Sequence, residues 1–206
     1  MELFIKFIIC IIAGYFIGSI STGMILSKIK GVDIHKEGSG GTGTTNVLRT
    51  LGKIPALITF TGDLAKVIIP IVIIRVIFGK EAEWYLMALY YGLGAVLGHS
   101  YPFYMGFKGG KGIAVTAAII ISTSHPIIII IGVLAFIVIV AITRYVSVGS
   151  LLVVALLMPI NTIVYYRDNP YFVHMLIISL IIMALDYIRH SANIKRLIAG
   201  KENKLF

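Results

Sequence analysis

The chain has 206 residues, 58% hydrophobic and only 13% charged, where a soluble domain carries about 25% charged residues. With a mean hydropathy of +0.98 it reads as an integral membrane protein and not as a soluble globule. The net charge of +9 lies between apolar runs, which argues against a nucleic-acid binder, and the lone Cys10 excludes an internal disulfide or a cysteine metal cluster.

Six apolar stretches follow one another, at about 3–27, 54–78, 85–105, 113–142, 146–166 and 170–188. The first holds Lys6 and lacks an A-x-A-like cleavage site, so it reads as a retained helix with Cys10 as a small buried hydrophobe. The second carries Asp63 and Lys66, three apart, which read as a structural ion pair within the membrane. The fourth is interrupted by "STSHP" at 122–126. Proline cannot continue a helix cleanly, so the stretch is one kinked helix or two short ones.

Positive charge decides between them, because cytoplasmic loops carry the excess of Lys and Arg. Two helices give seven crossings. Thirteen Lys and Arg then lie on one side, in loop 28–53, loop 106–112, Arg144 and the tail from Arg189, against Lys80 and Arg167 on the other. One helix would divide them eight to seven. The reading is an all-α, polytopic seven-transmembrane-helix bundle, a single domain over 1–206, with the N-terminus outside and the C-terminus cytoplasmic. It requires 113–123, about 16 Å of helix, to stop short of a ~30 Å hydrocarbon core, tucked against protein.

That topology brings three polar patches to one membrane face. The first, "KEGSGGTGTTNVLR" at 36–49, offers Gly38, Gly40, Gly41 and Gly43, whose backbone can turn N–H groups toward an anion. Ser39, Thr42, Thr44 and Thr45 add hydroxyls. Asn46 and Arg49 follow where a helix begins, and a helix start and a guanidinium both favour phosphate. It is not a Walker A loop. The second, "GHSYPFYMGFKGGKG" at 98–112, sets Lys108 and Lys111 around Gly109 and Gly110, with Gly112 leading into an apolar helix. The third, "RHSANIKRLIAGKE" at 189–202, places His190, Asn193 and Arg196 at helical spacing. Each has a plainer reading when taken alone: a pliable polar loop, a positive-inside turn, a basic amphipathic tail.

No close pair among the nine carboxylates lies on this face, which argues against a carboxylate-bound metal. None of the five histidines has Asp five positions later, so the His-x-x-x-x-Asp signature of other glycerolipid acyltransferases is absent.

In order, "GSGGTGTTNVLR", "GHSYPFYMGFKGGKG" and "HSANIKRLIAGKE" resemble the three motifs of the bacterial acyl-phosphate:glycerol-3-phosphate acyltransferases, the PlsY family, over nearly the whole chain. That family usually has asparagine where this chain has Gly41, so no contact is carried over there. The resemblance implies a seven-helix enzyme of the bacterial inner membrane with its active site facing the cytoplasm. It implies transfer of a fatty acyl group from acyl phosphate to the 1-hydroxyl of glycerol 3-phosphate, giving lysophosphatidic acid and phosphate, the first acylation of phospholipid synthesis. No cofactor or metal is expected, and no partner beyond the two substrates and the bilayer; a single compact bundle makes monomer the default.

The site expected from the motifs is as follows. Gly38, Ser39, Gly40, Thr45, Asn46 and Arg49 hold one phosphate. Lys108, Gly109, Gly110, Lys111 and Gly112 hold the other. His190, Asn193 and Arg196 position glycerol 3-phosphate. Ser39, Arg49, Lys108, His190 and Asn193 are the candidate catalytic groups, with either the donor phosphate or His190 taking the proton. An organic-phosphate transporter is the competing class. It would share the cationic loops, but a transporter tends to show internal repeats and paired broken helices near the midplane, whereas no internal repeat is seen here and the polar patches sit at one membrane face.

Overall fold

The computed structural model describes residues 1–205, and the described residues are helices and turns without a strand. The first apolar run is broken. Helix α1 (Glu2–Ser19) ends at Ile20 in extended backbone, and α2 (Thr22–Ile29) restarts under a Ser21 cap whose hydroxyl accepts from Met24 N at 3.3 Å. The break frees the Ile20 carbonyl in apolar surroundings, where an orphan acceptor is costly. Lys66 Nζ fills it at 2.8 Å from α4 (Lys53–Phe78).

Between them lies α3 (Thr44–Leu51), which starts inside the first glycine loop. Next comes α5 (Trp84–Ser100). The 85–105 stretch is therefore shorter as a helix than its composition suggests. Pro102 stops it, and a 3-10 turn (Phe103–Met105) follows with Phe103 and Tyr104 half exposed. The interrupted 113–142 stretch is two helices, α6 (Ile113–Thr123) and α7 (Pro126–Thr143). Pro126 occupies the first turn of α7, where its missing N–H is harmless. After α8 (Val146–Gly149) the helix widens into a π turn (Ser150–Ala155) and narrows again as α9 (Leu156–Tyr165). Pro159 cannot donate to the Ala155 carbonyl, which weakens the ordinary ladder at the end of that turn. Helices α10 (Phe172–Arg189) and α11 (Ser191–Ile198) complete the chain.

Five helical segments are long and apolar enough to cross a membrane: Glu2–Ile29, Lys53–Phe78, Pro126–Thr143, Val146–Tyr165 and Phe172–Arg189. Their outward faces are apolar, as Phe4, Ile9, Leu57, Ile73, Ile130, Ile137 and Ile177 show, which suits lipid as solvent. Helices α5 and α6 are shorter, with 17 and 11 residues. They can be short because protein surrounds much of them: α1, α4, α6 and α10 all pack on α5, and most of Tyr85–Ser100 is buried.

The tightest contact is α1 against α5. Each helix carries a G-x-x-x-G, Gly14 with Gly18 and Gly94 with Gly98. A methyl on any of the four would run into the partner's backbone, at Tyr91, Ala95, Ile11 and Tyr15 respectively. Without a hydrophobic force between helices in lipid, such close backbone approach is what holds a pair together.

Candidate active site

The first loop is built around Asn46. Its Oδ1 accepts from Ser39 N at 2.8 Å, and its Nδ2 donates to the carbonyls of Gly41 (2.8 Å), Glu37 (3.0 Å) and Ile34 (3.4 Å). The amide is thus spent on the loop, and Asn46 gives shape in place of a free donor. Gly38 and Gly40 have φ of +56° and +70°, so the curl needs glycine at both. Gly41 has no such φ and only Ser39 Oγ near its missing side chain, at 3.9 Å, so that position has room for one.

The second loop is pinned from both sides. Gly109 N and Gly110 N donate to the Ser100 and His99 carbonyls, at 3.1 and 3.0 Å, so these two N–H groups face the end of α5. From α10, Arg189 donates to the Gly109 carbonyl (3.2 Å) and twice to that of Gly110 (2.9 and 3.2 Å), its guanidinium 4.8 Å from the Tyr101 ring centre. His99 is held in turn by Lys66 Nζ, 3.0 Å from its Nδ1, and the same ammonium lies 2.8 Å from Asp63 Oδ1. The Asp63–Lys66 pair therefore joins the α1–α2 break, α4 and the seat of the second loop.

The third element is the α10–α11 junction. His190 Nδ1 lies 2.8 Å from the Asp186 carbonyl, an acceptor only, so Nδ1 carries the proton and Nε2 keeps its lone pair. Burial, aided by the Lys111 charge, holds His190 down to about 4 against the pull of that carbonyl, and the ring is neutral at pH 7. Glu202 gathers Asn193 Nδ2 (2.7 Å), Arg196 Nε (2.7 Å) and Ser147 Oγ (3.2 Å). Burial would raise its carboxyl, but the bonds from Asn193, Arg196 and Ser147 outweigh it and hold it below the usual range. Arg49 Nη2 donates to Asn203 O at 3.3 Å, so the tail crosses to the first loop. Burial also lowers the Lys111 ammonium to about 8, with Arg196, Arg49 and Arg189 adding to the fall and Glu202 opposing it.

Two cavities meet among these elements. One, about 470 Å³, has a polar head of Ser39, Thr44, Thr45, Arg49, Lys111, His190 and Asn193, and continues into a slot of apolar side chains from α6, α7 and the π turn. Thr44 Oγ1 and Asn193 Oδ1 are buried without a hydrogen-bond partner, on residues that line this head. The other, about 620 Å³, is a cationic cleft with Ser39, Gly40, Lys108, Gly109, Lys111, Arg189, Asn193 and Arg196 on its walls. Ser39, Gly41, Lys111 and Asn193 line both.

Of the residues expected from the motifs, Asn46, Gly110 and Gly112 line the first cavity as well; Gly38 lines neither, and a methyl there would strike Asn46 Oδ1. Sequence reasoning missed Ser147, Arg189 and Asn203. Ser147 carried a signal, a hydroxyl at the start of an apolar run beside a positive turn. Arg189 and Asn203 carried none, since their roles are to touch backbone far away along the chain.

The family model for glycerol-3-phosphate acyltransferase matches residues 8–200. The chain belongs to the glycerol-3-phosphate acyltransferase family. Relatives of that name include one from Trichlorobacter lovleyi, 38% identical over 194 residues that cover 94% of this chain and 95% of the relative. Another, from Clostridioides difficile, is 39% identical over 207 residues, 100% of this chain and 98% of the relative. Among solved structures, that of PlsY (YgiH), an integral membrane glycerol 3-phosphate acyltransferase in its glycerol 3-phosphate form, superposes with a TM-score of 0.84 at 34% identity, covering 97% and 96% of the two chains. Its lysophosphatidic acid form gives 0.82 at the same identity. The chain is accordingly a multi-pass integral membrane acyltransferase of the PlsY family, the resemblance its three motifs carry.

Proposed function

We propose that this acyltransferase, acting as one domain over 1–206, moves a fatty acyl group from acyl phosphate to the 1-hydroxyl of glycerol 3-phosphate. The products are lysophosphatidic acid and inorganic phosphate. The observation that carries the reading is the first cavity, in which a phosphate-sized cationic head runs directly into an apolar slot. A molecule with an alkyl tail and an anionic end fits that shape, and acyl phosphate is such a molecule.

The donor's phosphate is placed among Ser39, Thr44, Thr45, Arg49 and Lys111, with its tail in the slot. Glycerol 3-phosphate is placed in the adjoining cleft, its phosphate against Lys108 and Arg196. The shared wall of Ser39, Lys111 and Asn193 then brings the hydroxyl beside the acyl carbon. The hydroxyl oxygen bonds to the carbonyl carbon, the bond from that carbon to the phosphate oxygen breaks, and the proton passes to the departing phosphate. His190 Nε2 orients the glycerol by accepting from its 2-hydroxyl, which leaves the 1-hydroxyl proton free to pass to the phosphate. A ring held down to about 4 is a weak base near neutrality, which favours phosphate as the proton acceptor. Phosphate leaves readily, so positioning and charge supply most of the rate.

With α5 and α6 counted as wrapped short spans the chain crosses seven times, and the excess of Lys and Arg around the site supports a site facing the cytoplasm of a bacterial inner membrane. A monomer suffices for it. The test is purified protein in detergent with acyl phosphate and glycerol 3-phosphate, with lysophosphatidic acid followed by mass spectrometry. Formation from acyl phosphate but not from acyl-CoA is expected, with Arg49→Ala and Lys108→Ala folded and at least about a hundredfold slower. Near-normal rates in those variants would refute the phosphate assignments. Flux of glycerol 3-phosphate into sealed vesicles without product would favour a transporter.

A further inference from the structure

The slot is the largely apolar part of the site, with Ser150 as a polar side chain on its wall, and its lining has a direction. The polar end lies at Ser147 and at Ile113, the start of α6. From there Val146 to Leu157 spans about 16 Å of helix, and Ile113 to Ile121 about 12 Å. Leu157 is the last residue of its helix to line the slot, and Gly132 faces it from α7. Gly132 is buried, with a bare α-carbon between Ile131 and Val133. A methyl added to it would come within 2.5 Å of Leu157 Cδ1, and no other atom lies closer than Leu157 Cγ at 3.9 Å. The Leu157 tip therefore occupies the space a side chain at 132 would need. The two residues share one volume toward the far end of the slot, with Ile129 of α7 about one turn beyond them.

We propose that Gly132 and Leu157 together set the length of acyl chain the enzyme accepts. The proposal rests on the reading that the slot holds the acyl tail. Any atom added at 132 pushes the Leu157 tip back into the slot and shortens it. Any atom removed at 157 lengthens it, because the freed space is continuous with the lining. The π turn at Ser150–Ala155, one turn before Leu157, supplies Ser150, Val153 and Val154 to the same wall. A widened helix at a functional wall is a recurring use of that geometry.

The test compares kcat/KM for dodecanoyl, hexadecanoyl and octadecanoyl phosphate in the parent, Gly132→Ala and Leu157→Ala. In hydrophobic pockets one methylene is worth roughly tenfold or more in kcat/KM. Gly132→Ala is expected to lower the hexadecanoyl-to-dodecanoyl ratio by about tenfold. Leu157→Ala is expected to raise the octadecanoyl-to-hexadecanoyl ratio by a similar factor. Ratios that stay flat in both folded variants, or move the same way, overturn the length assignment while leaving acyl transfer intact. If Gly132→Ala does not fold, a flat ratio in Leu157→Ala alone overturns it. A parent protein that transfers no acyl group of any length overturns the proposed function itself, and the length assignment with it.

Discussion

Lys111 stands on the wall between the two cavities, and its charge is conditional. Below its lowered value of about 8 it is an ammonium that attracts phosphate; as pH rises through that value the charge is lost. A bound anion restores the charge, so the effect belongs to the free enzyme and to kcat/KM more than to kcat. We expect kcat/KM for acyl phosphate to fall about tenfold per pH unit on the alkaline side, and Lys111→Arg, always charged, to move that limb upward. A pH profile of both proteins checks it; an identical limb in the variant would assign it elsewhere. At this scale the sequence marked where the cationic groups lie but not how their neighbours are used. The glycine loops promised free N–H groups, yet Gly109 and Gly110 give theirs to the end of α5, and the Asn46 amide is consumed by its own loop. Those bonds depend on how each loop curls back on itself, which the order of residues does not display.

At the scale of elements, the α1–α5 pair is the most sensitive to a small change. Gly94→Leu would place a side chain against the Ile11 carbonyl, where only backbone can give. Overpacking of this kind costs about 1–3 kcal/mol or more, and the loss acts on the seat of the second loop through His99. We expect a lower melting temperature in detergent and a raised KM for glycerol 3-phosphate. A variant that melts like the parent would show that α1 and α5 are not held by close approach. The two G-x-x-x-G pairs stand in the sequence, but only the structure shows that they face one another. The break between α1 and α2 was not, because an apolar run of helical length looks the same whether or not the chain steps aside within it. The α6–α7 division was legible, because Pro126 allowed it and the distribution of positive charge decided for it.

For the whole molecule, the orientation makes a sharp prediction. Cysteines placed singly at the exposed Phe107 and Ala192 in a Cys10→Ser background should be labelled by an impermeant thiol reagent from the same side of an oriented membrane, and a cysteine at the exposed Asp168 from the other. Labelling of positions 107 and 192 from opposite sides would dismantle both the seven-crossing topology and the shared site. The architecture around the slot also has a consequence for kinetics. Helix α7 packs on α8 and the π turn more than on α6, and much of its remaining surface is apolar and outward. On the proposed reading, an oily donor would enter sideways from the leaflet while its water-soluble co-substrate arrived through the cationic cleft. With separate doors into one chamber, neither molecule would block the other's path, and we expect initial-rate kinetics without a compulsory order of arrival.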